Sequence, residues 1–382
     1  MRKILFVTPG CFDKGGISRY NRYQIKALRE LYGKDQVRVL SLLGPDANQI
    51  EEELKVYWQG SPNFLVSKIL LVWQMIKALL FWRAQIIHVG HVNFSGLAVM
   101  LGKLFGAKVL LNVYGLEVWS GMTRDAEFGL KNCDYIISDC HNTAAYVKEV
   151  FKPQPPISVI WDCVDLEKFK YTEVGFEDLI RKYGLPDRNQ HFVILTLGRM
   201  SPNTDYKGYS RLLEVLVRVI RQKPNAVIVY AGAGDLVHEL KWKSKTLGIE
   251  DKVFFTGSIG EQDLPGIYSY GHVFSLVTES GKSMGEGIPL TPLEAMACGK
   301  PVFVGNQDGS REAVFEGKNG FVLDPHDLDT HAEKILQLAN LPAQLVQLSN
   351  QATEMARMHF DYASFKVKHK EVFDLINNTH AQ

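Results

Sequence analysis

The chain has 382 residues, of which 46% are hydrophobic and 22% are charged, and its formal net charge is +1. Because a single hydrophobic core stops growing at about 250–300 residues, we expect two domains. The composition excludes a disordered or low-complexity protein. A strand pattern, Lys3–Val7, stands where a secretory leader would lie. The five cysteines are scattered without a Cys-x-x-Cys pair, so we expect a reduced, cytoplasmic chain.

Charge is distributed unevenly along the chain. Residues 1–160 hold 19 Lys/Arg and 13 Asp/Glu, a balance of +6, whereas the remainder has a balance of −5. A basic half beside an acidic half suggests that the first half meets an anionic partner. Nucleic acid is excluded as that partner because the chain lacks Lys/Arg-rich runs with interleaved aromatic residues. A phospholipid surface or a lipid-phosphate acceptor fits better, and we expect peripheral contact with the inner face of a membrane.

Strand-like and helix-like patterns alternate throughout, which predicts parallel sheets with crossover helices. In the first half the predicted strands are Ile4–Thr8, Val37–Leu42, Ile86–Val89, Lys108–Val113, Tyr135–Ser138 and Ile157–Ile160. In the second half they are Phe192–Leu197, Ala226–Ala231, Lys252–Thr256, Val273–Val277, Pro301–Val304 and Gly320–Val322. The turn-rich stretch Trp161–Asn189 is predicted to be an interdomain connection. The predicted fold class is α/β, with two doubly wound Rossmann-like domains, residues 1–165 and 190–358, facing across a ligand-binding cleft.

The first loop that could hold a ligand follows the first strand. Cys11–Ser18 contains Gly15 and Gly16 and leads into a helix predicted over Ser18–Leu31. Without Cβ atoms the backbone there can approach a diphosphate, although an ordinary strand-to-helix turn also uses glycine. The loop is not Gly-x-Gly-x-x-Gly, and no suitable acidic residue lies about 20 positions further on, which excludes a nicotinamide-dependent dehydrogenase.

The apolar segment Phe64–Trp82 is long enough to span a bilayer, but Lys68, Gln74 and Lys77 interrupt it. Two interpretations stay open. The segment is either a buried or half-buried helix, or an interfacial membrane helix with Trp73 and Trp82 at headgroup level.

A cationic pair follows the first strand of the second domain. Arg199 ends the strand Phe192–Leu197, and Lys207 precedes the next helix. An arginine can bind a phosphate through two hydrogen bonds and a lysine as a point charge. Two solvated loop cations remain the alternative.

The most informative segment is Gly285–Gly299, which places Glu286 in a Gly/Pro loop and Glu294 inside a helix. Thr291 is predicted as the N-cap and Pro292 as the first helical residue, so the helix offers free N–H groups to an anion. Thr291-x-x-Glu294 also fits a capping box, in which Glu294 would have no role in ligand binding.

Gly285–Gly299 resembles the Glu-x7-Glu signature of the retaining nucleotide-sugar glycosyltransferases of family four, which have the GT-B fold. The Gly-Gly loop and the Arg199/Lys207 pair resemble further motifs of this family. The resemblance implies that Glu286 binds donor-sugar hydroxyls, that Glu294 binds ribose, and that Arg199 and Lys207 contact phosphate. It also implies that a C-terminal helix, within 360–382, crosses back onto the first domain. The donor-binding residues expected from it are Gly15, Gly16, Arg199, Lys207, Gly257, Ser258, Ile259, Glu286, Gly287, Ile288, Pro289, Leu290, Thr291 and Glu294. Of these, Glu286, Arg199 and Lys207 are the expected catalytic residues.

The first domain departs from the family pattern, since Tyr114 stands where the family often has a histidine that contacts the donor sugar. Tyr114 could still offer a hydroxyl, Glu117 could bind acceptor, and His91 is expected to face the cleft, with His88 structural. His88 and His91 without a third clustered ligand seldom hold zinc. No Asp-x-Asp pair is placed for a divalent cation, so we expect a metal-independent enzyme without a cofactor.

These observations predict a retaining glycosyltransferase that moves a hexose from a nucleotide diphosphate sugar, such as UDP-glucose or another UDP-hexose. A glycan or a polyprenyl-linked acceptor would receive it. One alternative is a GT-B-fold sugar-nucleotide epimerase, which would act on the donor without an acceptor. The other is a non-catalytic sugar-nucleotide binder, which the missing histidine at Tyr114 makes conceivable.

Overall fold

The computed structural model describes residues 3–11, 15–43, 56–60 and 64–378, and the chain divides into two compact units. The first unit comprises Met1–Cys163 and Tyr362–Gln382, and the second comprises Val164–Asp361. The predicted residues Phe12–Lys14 of the Gly-Gly loop and 379–382 of the C-terminal helix lie outside the described residues.

The first unit contains a seven-stranded parallel sheet with the order β3-β2-β1-β4-β5-β6-β7. Its strands are β1 (Ile4–Gly10), β2 (Val37–Leu43), β3 (Trp58–Gln59), β4 (Ile86–Val89), β5 (Lys108–Val113), β6 (Tyr135–Ser138) and β7 (Ile157–Val159). The helices that connect them are α1 (Gly16–Tyr32), α2 (Phe64–Leu80), α3 (Ser95–Phe105), α4 (Leu116–Trp119), α5 (Arg124–Asn132) and α6 (His141–Phe151). The direction of strand addition reverses between β1 and β4, which makes that point the topological switch of the sheet.

The second unit contains a six-stranded parallel sheet with the order β10-β9-β8-β11-β12-β13 and its switch point between β8 and β11. Helix α7 (Phe176–Tyr183) precedes the sheet, whose strands are β8 (Phe192–Leu197), β9 (Ala226–Ala231), β10 (Val253–Gly257), β11 (Val273–Leu276), β12 (Val302–Gly305) and β13 (Gly320–Leu323). Its other helices are α8 (Tyr209–Val219), α9 (Leu236–Thr246), α10 (Leu264–Tyr270), α11 (Leu290–Ala297), α12 (Leu328–Asn340) and α13 (Pro342–His359).

The predicted fold class of two parallel, Rossmann-like domains is confirmed. Every predicted strand is present, and no boundary is displaced by more than two residues. The short strand β3, Trp58–Gln59, was not predicted, because two residues are too few for an alternating pattern.

The stretch Trp161–Asn189 is not a simple connection. From Val164 onward it belongs to the second unit, and it contains helix α7. Leu179 and Tyr183 are the buried residues of this helix, and the Tyr183 hydroxyl donates to Asp263 Oδ2 at 2.6 Å. The prediction missed the helix because its flanking turn residues dominated the composition of the segment.

The final helix, α14 (Tyr362–Asn378), packs against α1 in the first unit. Phe365 meets the ring of Tyr20 edge to face at 5.3 Å, and Lys366 Nζ lies 2.7 Å from Glu30 Oε2. Alternate residues of the first sheet divide the core, so Ile4 and Phe6 face α1 and α14, whereas Leu5 and Val7 face the opposite layer. The C-terminal helix therefore completes one face of the first sheet.

Helix α2 is apolar on two sides. Leu71, Met75, Ala78 and Leu79 are buried in the core of the first unit. On the outer side Leu65, Ile69 and Trp73 are 70%, 64% and 50% exposed. Trp82 is only 9% exposed, and the Arg38 guanidinium lies 4.4 Å from its ring centre. Of the two interpretations of this segment, the interfacial one is therefore wrong in placing Trp82 at headgroup level. Within the described part of the chain, no helix combines the length and the hydropathy that crossing a membrane requires.

Candidate functional site

Three of the predicted donor-site residues, Arg199, Lys207 and Glu286, lie in loops at the switch point of the second sheet. One loop follows β8 and contains Arg199, Tyr206 and Lys207, and another follows β11 and contains Glu286. Because the strands are parallel and β8 lies next to β11, the two loops emerge at the same edge. Ligands of open α/β sheets bind at this point.

The loop after β8 is folded so that Tyr206 and Lys207 have fixed positions. Its end forms a short 3₁₀ helix, Pro202–Lys207, in which Ser201 and Thr204 form a capping box. Gly208 follows with a φ of +87°, and a Cβ atom there would lie 2.5 Å from the Val277 carbonyl oxygen. Only glycine fits this conformation and this approach to the loop after β11.

A partly buried ion pair anchors Tyr206 to the second loop. Arg211 Nη1 lies 2.7 Å from Glu279 Oε2, and Arg211 Nη2 donates to the Tyr206 carbonyl at 3.0 Å. The Glu279 N–H donates to the same carbonyl at 2.7 Å. The backbone of Tyr206 is therefore held from both loops.

Glu286 receives two donors on one oxygen. Lys207 Nζ lies 3.1 Å from Glu286 Oε1, and the Tyr206 hydroxyl donates to the same atom at 2.6 Å. The side chains of Lys207 and Glu286 are 20% and 19% exposed, so the pair is shielded but accessible. Burial and the Glu286 charge raise the pKa of Tyr206 well above its ordinary value, which keeps the hydroxyl a donor.

Asp308 holds the backbone of Glu286. Its Oδ2 accepts the Glu286 N–H at 2.9 Å, its Oδ1 accepts the Ser310 N–H at 3.0 Å, and the Gly309 N–H donates to the Glu286 carbonyl at 3.0 Å. Burial raises the pKa of the Asp308 carboxyl to about 6. The position of Glu286 is therefore set at both its side chain and its backbone.

Helix α11 begins two residues earlier than predicted. It starts at Leu290, and Pro289 is its N-cap with an extended ψ of 138°, so the prediction of Thr291 as N-cap is wrong. Pro292 then occupies the third helical position, where its missing N–H breaks no intrahelical bond. The Gly287–Pro289 loop still leads directly into the N-terminus of this helix.

Glu294 is 1% exposed, and its Oε2 accepts a hydrogen bond from the Tyr268 hydroxyl at 2.6 Å. Because Thr291 lies inside the helix, the alternative interpretation of Thr291-x-x-Glu294 as a capping box is wrong. A buried carboxylate on the first turns of a helix requires hydrogen-bond donors, and Tyr268 on α10 supplies one of them.

The other predicted donor residues lie at the same edge of the second sheet. Arg199 follows β8 and is exposed, whereas Gly257, with a φ of +70°, ends β10 and is followed by exposed Ser258 and half-buried Ile259. Ile288 and Leu290 are buried. The assignment of these residues to the nucleotide stays a prediction.

The corresponding switch point of the first unit carries Gly15, Gly16 and His91. Within the described residues, a Cβ atom at either glycine would meet no atom within 4 Å, so the packing of that part of the chain does not require glycine there. His91 Nδ1 accepts the Asn93 N–H at 3.3 Å, and burial lowers the pKa of His91 to about 4. At neutral pH the ring is therefore neutral, and Nε2 carries its proton.

In the first unit Tyr114 is buried and Glu117 is half-buried, and both side chains are held by hydrogen bonds. The Tyr114 hydroxyl donates to Asn21 Oδ1 at 2.7 Å and accepts from Asn112 Nδ2 at 3.0 Å. Glu117 Oε1 accepts the Tyr114 N–H at the start of α4, and burial raises the pKa of its carboxyl. A contact of either side chain with an acceptor would require these hydrogen bonds to be exchanged.

A buried polar network beside Tyr114 was not predicted. Asn112 on β5 is bonded to Gln24 on α1 and lies 3.2 Å from His88 Nε2, and Gln24 Nε2 lies 2.9 Å from His369 Nε2 on α14. His88 is therefore structural, as predicted. Burial lowers the pKa of His88 to about 3 and that of His369 to about 4. The signal in the sequence was an asparagine inside an otherwise apolar strand.

In the described ranges of the chain, no three or more His, Cys, Asp or Glu side chains are grouped so that they could hold a metal ion.

Two families match the chain in succession. The family described as Glycosyltransferase Family 4 matches residues 14–168, and the family described as Glycosyl transferases group 1 matches residues 177–355. Together they cover both units.

Curated relatives match part of the chain. The GDP-mannose-dependent alpha-(1-6)-phosphatidylinositol monomannoside mannosyltransferase of Mycolicibacterium smegmatis is 28% identical over 236 residues, which are 60% of this chain and 60% of that protein. The UDP-Gal:alpha-D-GlcNAc-diphosphoundecaprenol alpha-1,3-galactosyltransferase of Escherichia coli is 29% identical over 195 residues, 51% of this chain and 48% of that protein. The chain therefore spans less than two thirds of the length of these relatives.

Solved structures match along the whole chain. HepE (Alr3699) of Anabaena, crystallised with UDP, superimposes with a TM-score of 0.81 at 18% identity and covers 97% of this chain and 99% of its own. Sucrose-phosphate synthase of Thermosynechococcus elongatus gives a TM-score of 0.78 at 17% identity and covers 99% and 100%. The fold is therefore GT-B.

Proposed function

Because the chain belongs to the family-four glycosyltransferases, we propose that it transfers a hexose from a nucleotide diphosphate sugar and retains the configuration at the anomeric carbon. The observation that carries this proposal is the arrangement of Tyr206, Lys207 and Glu286 at the switch point of the second sheet. It offers a cation for the diphosphate and a carboxylate for sugar hydroxyls within one hydrogen-bonded group.

Each protein group that is predicted to bind the sugar nucleotide has a proposed role. Arg199, Lys207 and the N-terminus of α11 stabilise the negative charge that develops on the leaving nucleoside diphosphate. Glu286 accepts hydrogen bonds from hydroxyls of the transferred sugar. Glu294 accepts from the ribose, for which its bond to Tyr268 sets the direction of the carboxylate.

The same-face course is what the family resemblance implies, and the lack of an assigned protein nucleophile agrees with it. In this proposal the acceptor hydroxyl attacks the anomeric carbon as the bond to the diphosphate breaks, and a phosphate oxygen of the leaving group takes the acceptor proton. We propose that the reaction needs neither metal nor cofactor, since Arg199 and Lys207 supply positive charge to the diphosphate.

The proposed donor is a UDP-hexose such as UDP-glucose. The curated relatives are named for GDP-mannose and for UDP-galactose, so GDP-mannose is the rival donor. Testing UDP-glucose, UDP-galactose and GDP-mannose side by side distinguishes the preference for the base from the preference for the sugar.

The proposed acceptor is a glycan or a polyprenyl-linked sugar at the cytoplasmic face of a membrane. Support comes from the +6 balance of residues 1–160 and from the outer side of α2. There Leu65, Ile69 and Trp73 recur at helical spacing and are at least half exposed, with Lys68 and Lys77 exposed on the same helix. An apolar strip bordered by lysines fits a surface of anionic lipid.

The test is a transfer assay with wild-type protein. Each donor is incubated with a panel of glycan and lipid-linked acceptors, and nucleoside diphosphate release and glycosylated product are measured together. We expect one donor to give product with retained configuration. Isomerised donor in the absence of acceptor would identify an epimerase, and binding without release would identify a non-catalytic binder; either result contradicts the proposal.

A further inference from the structure

Lys207 and Glu286 neutralise each other, although each has a different proposed partner in the donor. Lys207 Nζ lies 3.1 Å from Glu286 Oε1, and both side chains are about four-fifths shielded from water. A diphosphate carries more negative charge than a carboxylate, so it competes effectively for Lys207. Once Lys207 turns to the diphosphate, the Glu286 carboxylate has lost its cation in a shielded place, which is costly unless new donors replace it.

Tyr206 keeps Glu286 in place during that exchange. Its hydroxyl bonds to the same Oε1 at 2.6 Å, and its backbone is fixed by Arg211 and Glu279. It follows that Glu286 keeps one directional hydrogen bond when Lys207 leaves. The Asp308 bond to the Glu286 N–H holds the backbone at the same time.

We propose that Tyr206 is a positioning residue for Glu286, and that the Lys207–Glu286 ion pair couples diphosphate binding to recognition of the transferred sugar. This inference rests on the proposed function. The diphosphate binds Lys207 and so breaks the ion pair. Glu286, still held by Tyr206, can then accept hydrogen bonds from the hydroxyls of the hexose. The free nucleoside diphosphate and the hexose therefore bind with positive coupling, which is reciprocal by thermodynamic linkage.

Tyr206→Phe tests the positioning role, and Tyr209→Phe is its matched control. The first change removes the hydroxyl that bonds to Glu286 and keeps the ring. Tyr209 starts the next helix, and its buried hydroxyl has no hydrogen-bond partner in the described part of the chain. Both variants thus lose one hydroxyl in the same region, but only one of them touches Glu286.

Calorimetry measures the affinities of UDP and UDP-glucose, with GDP and GDP-mannose as a second pair. In wild-type protein and in Tyr209→Phe, the sugar nucleotide should bind more tightly than the free diphosphate. In Tyr206→Phe that advantage should fall about tenfold while the affinity for the free diphosphate changes less than twofold, and kcat should fall with it. If the sugar nucleotide exceeds the free diphosphate in affinity by the same factor in Tyr206→Phe as in the wild type, the positioning role is overturned.

The coupling is measured with free glucose or mannose in the presence and absence of the matching diphosphate. We expect the diphosphate to raise hexose affinity by roughly 5–150-fold, the usual range of such coupling. Glu286→Gln removes the charge that Lys207 pairs with and should abolish the increase, which gives a second route if Tyr206→Phe does not fold. Equal hexose affinity with and without diphosphate in wild-type protein overturns the coupling alone. Wild-type protein that binds no nucleotide of either pair overturns the proposed function itself.

Discussion

The two units share a doubly wound parallel topology, yet they use polar groups near the carboxyl ends of their strands in opposite ways. In the first unit Asn21, Asn112 and Tyr114 form a fully buried network of neutral groups. In the second unit Lys207 and Glu286 are charged, partly shielded and bonded to each other. The same fold thus carries one polar cluster that is fixed and one that can exchange partners.

Burial explains the difference. A buried neutral hydrogen bond contributes modestly to stability, but breaking it leaves partners unsatisfied at a high cost. A partly shielded ion pair keeps enough access to water for its members to change partners. The first network therefore suits a structural role, namely attachment of α14 through His369 and Gln24, and the second suits ligand binding.

The largest expected effect is on catalysis in the second unit. Replacing Lys207 or Arg199 with alanine removes positive charge from the leaving diphosphate, so kcat should fall by roughly 10²–10³, as for loss of a preorganised donor. Steady-state kinetics measure it, and Lys223→Ala is the control, since Lys223 bonds to the Ala339 carbonyl and has no proposed contact with the donor. Unchanged turnover in Arg199→Ala would remove that residue from the site.

In the first unit the expected effect is on stability. Asn112→Ala leaves Gln24, His88 and Tyr114 each short of a partner, so the free energy of unfolding should fall by about 1–3 kcal/mol or more. Chemical denaturation measures it, and Asn225→Ala, which removes an exposed amide, should change little. If Asn112→Ala weakened nucleotide binding at unchanged stability, the contrast between the two units would fail.

Glu294 combines features of both clusters, because it is buried like Asn112 and charged like Glu286. Glu294→Gln keeps an acceptor for Tyr268 and removes the charge, so affinity for free nucleoside diphosphate should fall about tenfold, equivalent to about 1.4 kcal/mol. Thermal stability should remain close to that of the wild type. Lost stability together with normal nucleotide binding would assign Glu294 a purely structural role.

Membrane contact is expected only from the first unit. Neutralising Lys68 and Lys77 should reduce binding to anionic vesicles several-fold, at about 1 kcal/mol per well-placed basic residue, and added salt should do the same. Sedimentation with the vesicles measures it, and Lys241/Lys245→Gln on exposed positions of α9 is the charge-matched control in the second unit. Wild-type protein that stays in the supernatant at low salt would show that the outer side of α2 serves another purpose.

The smallest expected effect is a pH dependence through Asp308, whose pKa is raised to about 6. A raised carboxyl pKa means that its contribution to stability is fully present below pH 3.8 and is lost as pH rises through about 6. The positioning role of Asp308 has the opposite pH dependence, because the ionised carboxylate accepts hydrogen bonds from the N–H groups of Glu286 and Ser310. We therefore expect kcat/KM for the donor to fall a few-fold below pH 6, and Asp308→Asn to lose this inflection. An inflection that persists in Asp308→Asn would belong to another group.

The fold could be predicted because its signals are local. Parallel strands such as Ala226–Ala231 are buried on both faces and read as continuous apolar runs, and the crossover helices separate them at regular intervals. Helix α7 was missed because its eight residues lie among turn residues. The start of α11 was misplaced by two residues because Thr291 and Pro292 also fit the first turn when Pro289 is the N-cap.

The support of the site could not be predicted, because it depends on contacts between distant segments. Tyr206 is 80 positions from Glu286, and Asp308 is 22 positions beyond it. Nothing in the local pattern around either residue indicates such a contact. The sequence indicated Lys207 and Glu286 through the family resemblance but not their mutual ion pair, which only the adjacency of β8 and β11 creates.

The most direct test of the central claim, that the second unit binds a nucleotide diphosphate sugar through Lys207 and Glu286, is a thermal-shift panel of UDP-, GDP-, ADP- and dTDP-sugars. A ligand at 100 times its dissociation constant stabilises the protein by about 2.7 kcal/mol. We predict that one sugar nucleotide raises the unfolding temperature of the wild type and that Lys207→Ala removes most of the shift. A wild-type protein that none of the panel stabilises, or a shift of equal size in Lys207→Ala, would contradict the claim.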